Sequence, residues 1–155
     1  MDLSLATTKW LALGLLRSSE VRETALNRLT MQDFSESEVL LKVVYKIAEK
    51  WHQSNKREEV PKAMAASVLT DELIPNRVLP DFQIIELGEL FNWAYNEVED
   101  VNSYTNFLLD ELSKFIIDRK IRPAVAGLDR EANIVESLQE LNKTVARNSI
   151  SKAKL

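Results

Sequence analysis

The sequence predicts an all-α domain, a compact head of about five helices followed by a two-helix hairpin. Three observations predict it. Only three glycines and four prolines occur in 155 residues. That is too few for the tight turns of an all-β chain, or for low-complexity disorder. Apolar residues recur at helical rather than alternating spacing through most of the chain. The composition, 45% apolar and 28% charged, is ordinarily globular, and the length suits one domain with its own core.

The first helix is expected from Ser4 or Thr7 to Arg17. Trp10, Leu11, Leu13, Leu15 and Leu16 make it apolar on most sides, and Gly14 inside it is best explained by close packing against another helix. Ser18-Ser19-Glu20 reads as the start of a short second helix. Ser19 lacks a capping box because the third residue on is Arg22. Val21, Ala25, Leu26 and Leu29 form its apolar face, and Thr30 to Phe34 is a connection. A third helix follows, capped by Ser35 with Glu38 completing the box. Its stripe is Val39, Leu40, Val43, Val44, Ile47, Ala48 and Trp51. Pro61 suits a first helical turn, so Ala63 to Leu73 is helical up to Pro75, with a loop from Pro75 to Pro80. Asp81 to Tyr95 is the fifth helix, with Phe82, Ile85, Leu87, Leu90, Phe91 and Ala94 as apolar positions.

After an acidic connection, Glu97 to Val101, the longest segment runs from Asn102 to Val125. Its apolar residues are too many for one stripe, so it needs two covers, the core on one side and a partner on another. Pro123 should kink or end it, and Gly127 to Arg130 is a turn. A last helix is expected from Glu131 to Arg147, because Ile134, Leu138, Leu141 and Val145 are spaced four, three, four, like a short coiled-coil seam. Two heptads do not hold a helix alone, so it should fold back as a hairpin. Residues 1–100 are thus the expected head, 101–148 the hairpin of the same domain, and 149–155 a frayed basic tail or the start of a linker. The expected oligomer or partner interface comprises Leu109, Phe115, Ile116, Ile117, Ile121, Ile134, Leu138, Leu141 and Val145.

Charge and chemistry narrow the function. The net charge is −4, which gives no global attraction to nucleic acid. It is unevenly spread, since Lys143, Arg147, Lys152 and Lys154 put a basic tail on an acidic body. Arg119, Lys120, Arg122 and the tail lysines offer non-specific phosphate contact at most. Trp10, Trp51 and Trp93 each sit in an apolar helical pattern and read as core. Cysteine is absent, which removes disulfides and thiolate chemistry and fits a reducing compartment. The apolar run Trp10 to Leu16 is too short to span a bilayer, and no cleavage site follows it, so a core helix is expected in a cytoplasmic protein. No Gly-rich phosphate loop occurs. His52, the single histidine, has no second anchor for a triad and reads as a surface or capping residue. Glu97, Glu99 and Asp100 lack calcium-loop spacing and read as a solvated loop. Glu49-x-x-His52 occurs once, where a di-iron bundle needs two copies. No catalytic residue, cofactor or metal is expected.

Leu11-Ala12-Leu13-Gly14-Leu15-Leu16 resembles the "VLGGLL" first helix in the N-terminal domain of DnaB-type replicative DNA helicases. In that family too a short helix and an Asp-Phe pair follow, here Asp33-Phe34, then a helix of the Val44-Tyr45-x-x-Ala48 type. Phe82 to Tyr95 is similar to the family's "YLxELA" helix, and Gly127-Leu128-Asp129 with Ile134 to Ala146 is similar to its final hairpin helix. The chain departs at Leu40, Leu41 and Lys42, where histidines are common, and at Glu58-Glu59-Val60-Pro61, where Pro-Ile-Asp is usual. The resemblance implies a non-catalytic collar domain that pairs through its hairpins, as a dimer or a hexamer, and docks primase or a loader. Any ATPase would lie beyond residue 155. The alternatives are the helicase-binding domain of a primase, an unrelated helical adaptor or regulator, and a small helical metal or acid–base enzyme.

Overall fold

A computed structural model describes residues 3–54, 58–128 and 142–143. Among them every regular element is helical, as the periodicity predicts. α1 (Leu5–Arg17) opens on Ser4, whose Oγ accepts the Thr7 N–H at 3.1 Å. Six consecutive residues, Leu11 to Leu16, are buried. A helix apolar on all sides has to be surrounded, and α1 packs on α2 (Ser19–Arg28), α3 (Val39–His52) and α6 (Thr105–Ile116). Each leucine so buried is worth about 1.5–3 kcal/mol.

The α1–α2 corner is tight. Ser18 closes α1 by giving its N–H to Gly14 O, and opens α2 by accepting the Val21 N–H on Oγ. A Cβ on Gly14 would lie 2.5 Å from Val21 Cγ1, so the close approach expected at this glycine is to α2. Beyond α2, Met31–Asp33 form a 3-10 turn with a reciprocal capping box between Thr30 and Asp33. α3 begins later than the Ser35 cap predicts. Glu38 Oε1 accepts the Ser35 N–H at 2.7 Å, so half the box forms, but it closes a turn before the helix. The buried face of α3 is Leu41, Val44, Tyr45, Ile47 and Ala48. It is rotated from the predicted stripe because the Tyr45 hydroxyl finds Leu29 O at 2.8 Å and so enters the core.

Among the described residues three helices widen into π turns at their C-terminal ends. α4 (Lys62–Ser67) continues as Val68–Leu73, α5 (Asp81–Asn92) as Trp93–Glu97, and α6 as Ile117–Ile121. The last leads into α7 (Arg122–Leu128). Pro123 was expected to kink or end this segment, yet helix continues past it. In an ordinary turn its ring would press on the carbonyl four residues back. Here the Arg122 N–H reaches Ile117 O, five back, and the wider turn relieves that contact. Gly127 and Leu128 are accordingly helical rather than part of a turn. On α5 the buried positions are Leu87, Leu90 and Phe91, with Ala94 following. Phe82 and Ile85, expected on that face, are each 61% exposed, because they lie off the helical arc that Leu87, Leu90, Phe91 and Ala94 share. The predicted helix from Glu131 to Arg147 lies outside the described residues except for Asn142 and Lys143, which are helical and exposed.

Gly14→Ala should lower stability by about 1–2 kcal/mol through overpacking, although alanine is the better helix former. Val21→Ala in the same chain should recover part of the loss. Urea denaturation of the two single variants and the double variant checks both, and additivity of the two losses would refute the contact.

Candidate interaction surface

Charged residues fix the ends of the helices before any surface is left over. Arg119, on the π turn after α6, holds Glu38 with both arms of its guanidinium, Nη1 to Oε1 at 2.7 Å and Nη2 to Oε2 at 2.6 Å. Nη1 also donates to Asp33 O at 2.8 Å, and the guanidinium lies 4.6 Å from the Phe115 ring centre. Lys120 pairs with Asp33 at 3.0 Å and Arg122 with Asp118 at 2.9 Å. Arg119, Lys120 and Arg122 are therefore engaged within the chain, while Lys152 and Lys154 of the tail lie outside the described residues. Burial alone would push the Glu38 carboxyl up, but hydrogen bonds from Arg119 and Ser35 outweigh it and hold the group below its ordinary value.

A second lock straps residues 58–60 across the base of α1. The Val60 N–H reaches Leu16 O at 2.7 Å, and Val60 O accepts the Tyr95 hydroxyl at 2.7 Å. Glu58 O accepts from Trp51 Nε1 at 3.1 Å and from Arg22. Arg17 binds Glu59 at 3.1 Å and donates to Ala94 O at 2.8 Å, closing the end of the α5 π turn. Arg22 is fully buried, and its Nε donates to His52 Nδ1 at 3.2 Å. Accepting there requires that nitrogen to be unprotonated, so His52 acts in packing as an acceptor. Sequence reasoning placed Arg22 only as a missing capping residue. Nothing in the spacing marks an arginine that will be wholly enclosed.

The predicted interface residues divide into three groups. Leu109, Phe115 and Ile116 belong to the chain's own core, which corrects their assignment to a partner-facing surface. α1 and α2 both pack on α6, and Phe115 stacks on Phe34 with ring centres 5.4 Å apart, so two covers are supplied internally. Ile117 (40% exposed) and half-buried Ile121 continue instead into Val125 (47% exposed). The three recur every four residues and form an apolar stripe leading away from the core. Ile134, Leu138, Leu141 and Val145 lie outside the described residues.

Three of the surface clefts lie among the described residues. One, between α3 and the α4 π turn, has about 660 Å³ of space, an apolar floor including Val43, Ile47 and Met64, and Lys42, Lys46 and Lys50 along its edge. A smaller one lies between the starts of α1, α3 and α5. The third, also about 660 Å³, is lined by Lys9, Trp10, Trp93, Tyr104, Glu97, Glu99 and Asp100. The acidic residues of this connection are exposed, as expected of a solvated loop, and also form one wall of the cleft. Trp10, Trp51 and Trp93, expected in the core, are half-buried at its margin. Trp10 meets Trp93 and Phe107 edge-on at 5.4 and 4.9 Å. Among the described residues no three His, Asp or Glu side chains converge as metal ligands would, and no helix is long and apolar enough to cross a membrane. The sequence matches no protein-family model, and no curated protein or solved structure matches it.

Replacing Glu38 by Gln should cost about 1.5–3 kcal/mol at neutral pH, because the half-buried Arg119 guanidinium loses its bidentate carboxylate and keeps Asp118, at 3.3 Å. The depressed carboxyl binds fewer protons in the folded than in the unfolded chain. Its contribution is therefore complete above the ordinary glutamate range, about 4.3, and is lost as pH falls through the lower folded value. Urea titrations between about pH 7 and pH 3 should show a shallower acid decline for Glu38→Gln than for the wild type. Parallel declines would refute the assignment.

Proposed function

We propose that this chain is a non-catalytic oligomerisation and protein-interaction domain. The observation that carries the reading is the stripe Ile117, Ile121 and Val125, which projects past a core already closed by α1, α2 and α3. An apolar stripe of this kind on a charged helix needs a cover. The seam Ile134, Leu138, Leu141 and Val145 has the matching period. Folding back within one chain covers part of the stripe, and pairing with a second hairpin completes it. Arg119, Lys120 and Arg122 are held by carboxylates, which favours a protein partner over a phosphate backbone.

The resemblance of residues 11–16, 33–34 and 44–48 to the replicative-helicase collar makes primase, or a helicase loader, the first partner to test after self-association. A cytoplasmic location accords with the absence of cysteine.

Light scattering should find the wild type as a dimer or larger assembly. Ile121→Asp with Val125→Asp, and separately Leu138→Asp with Leu141→Asp, should dissociate it. The first pair lies outside the core, so the helical circular dichroism of residues 3–116 should persist. A wild type that is monomeric at every concentration would remove the reading. So would an oligomer that both double variants leave intact.

A further inference from the structure

We infer that the cleft between α1 and the α5 π turn binds the basic tail of the same chain, residues 147–155, through its carboxylates and aromatic faces. Glu97, Glu99 and Asp100 form one wall, and Trp10, Trp93 and Tyr104 form the other. Among the described residues no cation lies within ion-pair distance of those three carboxylates, although six ion pairs form elsewhere. The aromatic wall independently marks the cleft as a seat for cations. Lys9 Nζ lies 4.5 Å above the Trp93 ring centre, a contact that ammonium and guanidinium groups make with indole faces. Tyr104, 42% exposed, leaves a further ring open beside it. The cleft therefore fits lysine or arginine side chains of a basic segment, whose methylenes lie on the rings while their charged ends meet the carboxylates.

The chain's own sequence holds such a basic segment. Arg147, Lys152 and Lys154 occur in the last nine residues, with no acidic side chain among them. Chain length places it within reach. From Thr105, next to the cleft residue Tyr104, the helical run to Leu128 leads away for about 36 Å. Arg147 follows Leu128 by nineteen residues, and a chain of that length spans up to about 65 Å, more than the distance to be covered. Tethering favours this occupant over a second copy's tail, because a short linker supplies an effective concentration on the order of millimolar.

The chain has no cysteine, so a disulfide can report the contact without background. Ser103 lines the cleft, and Ser151 lies beside Lys152. In the full chain carrying Ser103→Cys and Ser151→Cys, mild oxidation at low protein concentration should give an intramolecular disulfide. It should form at least tenfold faster than with Ser54→Cys and Ser151→Cys, since Ser54 is exposed at the far end of α3. Adding Glu97→Lys and Glu99→Lys, both exposed, should abolish the preference, as should high salt. Equal rates for the two pairs, indifference to charge reversal, or disulfides only between chains would each overturn the assignment. The inference needs no partner chain and so stands apart from the self-association reading. A chain that oligomerises without the Ser103–Ser151 preference fails here and leaves that reading standing.

Discussion

The constraint on which the structure depends is the complete enclosure of α1. Leu11 to Leu16 are all buried, so this helix has no solvent face over nearly two turns and must find neighbours on every side. α2 reaches it through the shortest connection in the head, a single residue, Ser18, that serves as C-cap of one helix and N-cap of the next. Such a corner works only if the two backbones nearly touch. That is why position 14 is glycine and position 21 the β-branched residue that fills the space beside it. α3 and α6 then close the remaining sides. The leucines supply the driving force, and the glycine fixes the geometry that lets it be used.

Enclosing a helix this fully creates a second problem, because its last carbonyls and those of its neighbours are carried inward. Arginines solve it. Arg22 enters the core beside the end of α1 and donates to Glu58 O and His52. Arg17 closes the α5 π turn from outside. Arg119 does the same at the 33–38 turn, with a full counter-charge on Glu38. A planar group with five donors satisfies several acceptors from one position, which a lysine does not. These arginines connect segments far apart in sequence, so they bear on the tertiary arrangement rather than on any one helix.

The same distinction explains what was readable from sequence. Helix existence rests on local periodicity, and α1, α2, α3 and α5 stand close to where the spacing of their apolar residues puts them. Gly14 was readable too, because a glycine amid leucines conflicts with helix propensity and so points to packing. Which face turns inward was less readable. On α3 the competition was settled by one long-range bond, from Tyr45 to Leu29 O, and on α5 Phe82 and Ile85 lost to Leu87, Leu90 and Phe91. The π turn before Pro123 was invisible, because a proline in a helical pattern reads as a stop unless the wider turn is known. Arg22, Arg119 and the cleft wall at Glu97 to Asp100 carry no local signature of their place in the fold, since the bonds that fix Arg22 to His52 and Arg119 to Asp33 span 30 and 86 residues and the cleft's other wall is on another element.

How the apolar surface of α6 is used follows from these assignments. Read as a sequence, Leu109, Phe115, Ile116, Ile117 and Ile121 form one broad surface whose excess is handed to a partner. In the fold the division runs across the helix axis at a particular place. Up to Ile116 the apolar residues serve the head, and from Ile117 the helix widens, projects past Arg119 and carries apolar residues that the head does not enclose. The Arg119–Glu38 clamp sits at that boundary, so it sets the direction in which the stripe leaves the core. A substitution that loosened the clamp would leave Leu109 and Phe115 packed while altering the angle of α7, and with it the geometry of whatever covers Ile121 and Val125. Stability of the head and presentation of the stripe are therefore coupled through one largely enclosed ion pair, rather than through the hydrophobic contacts on either side of it.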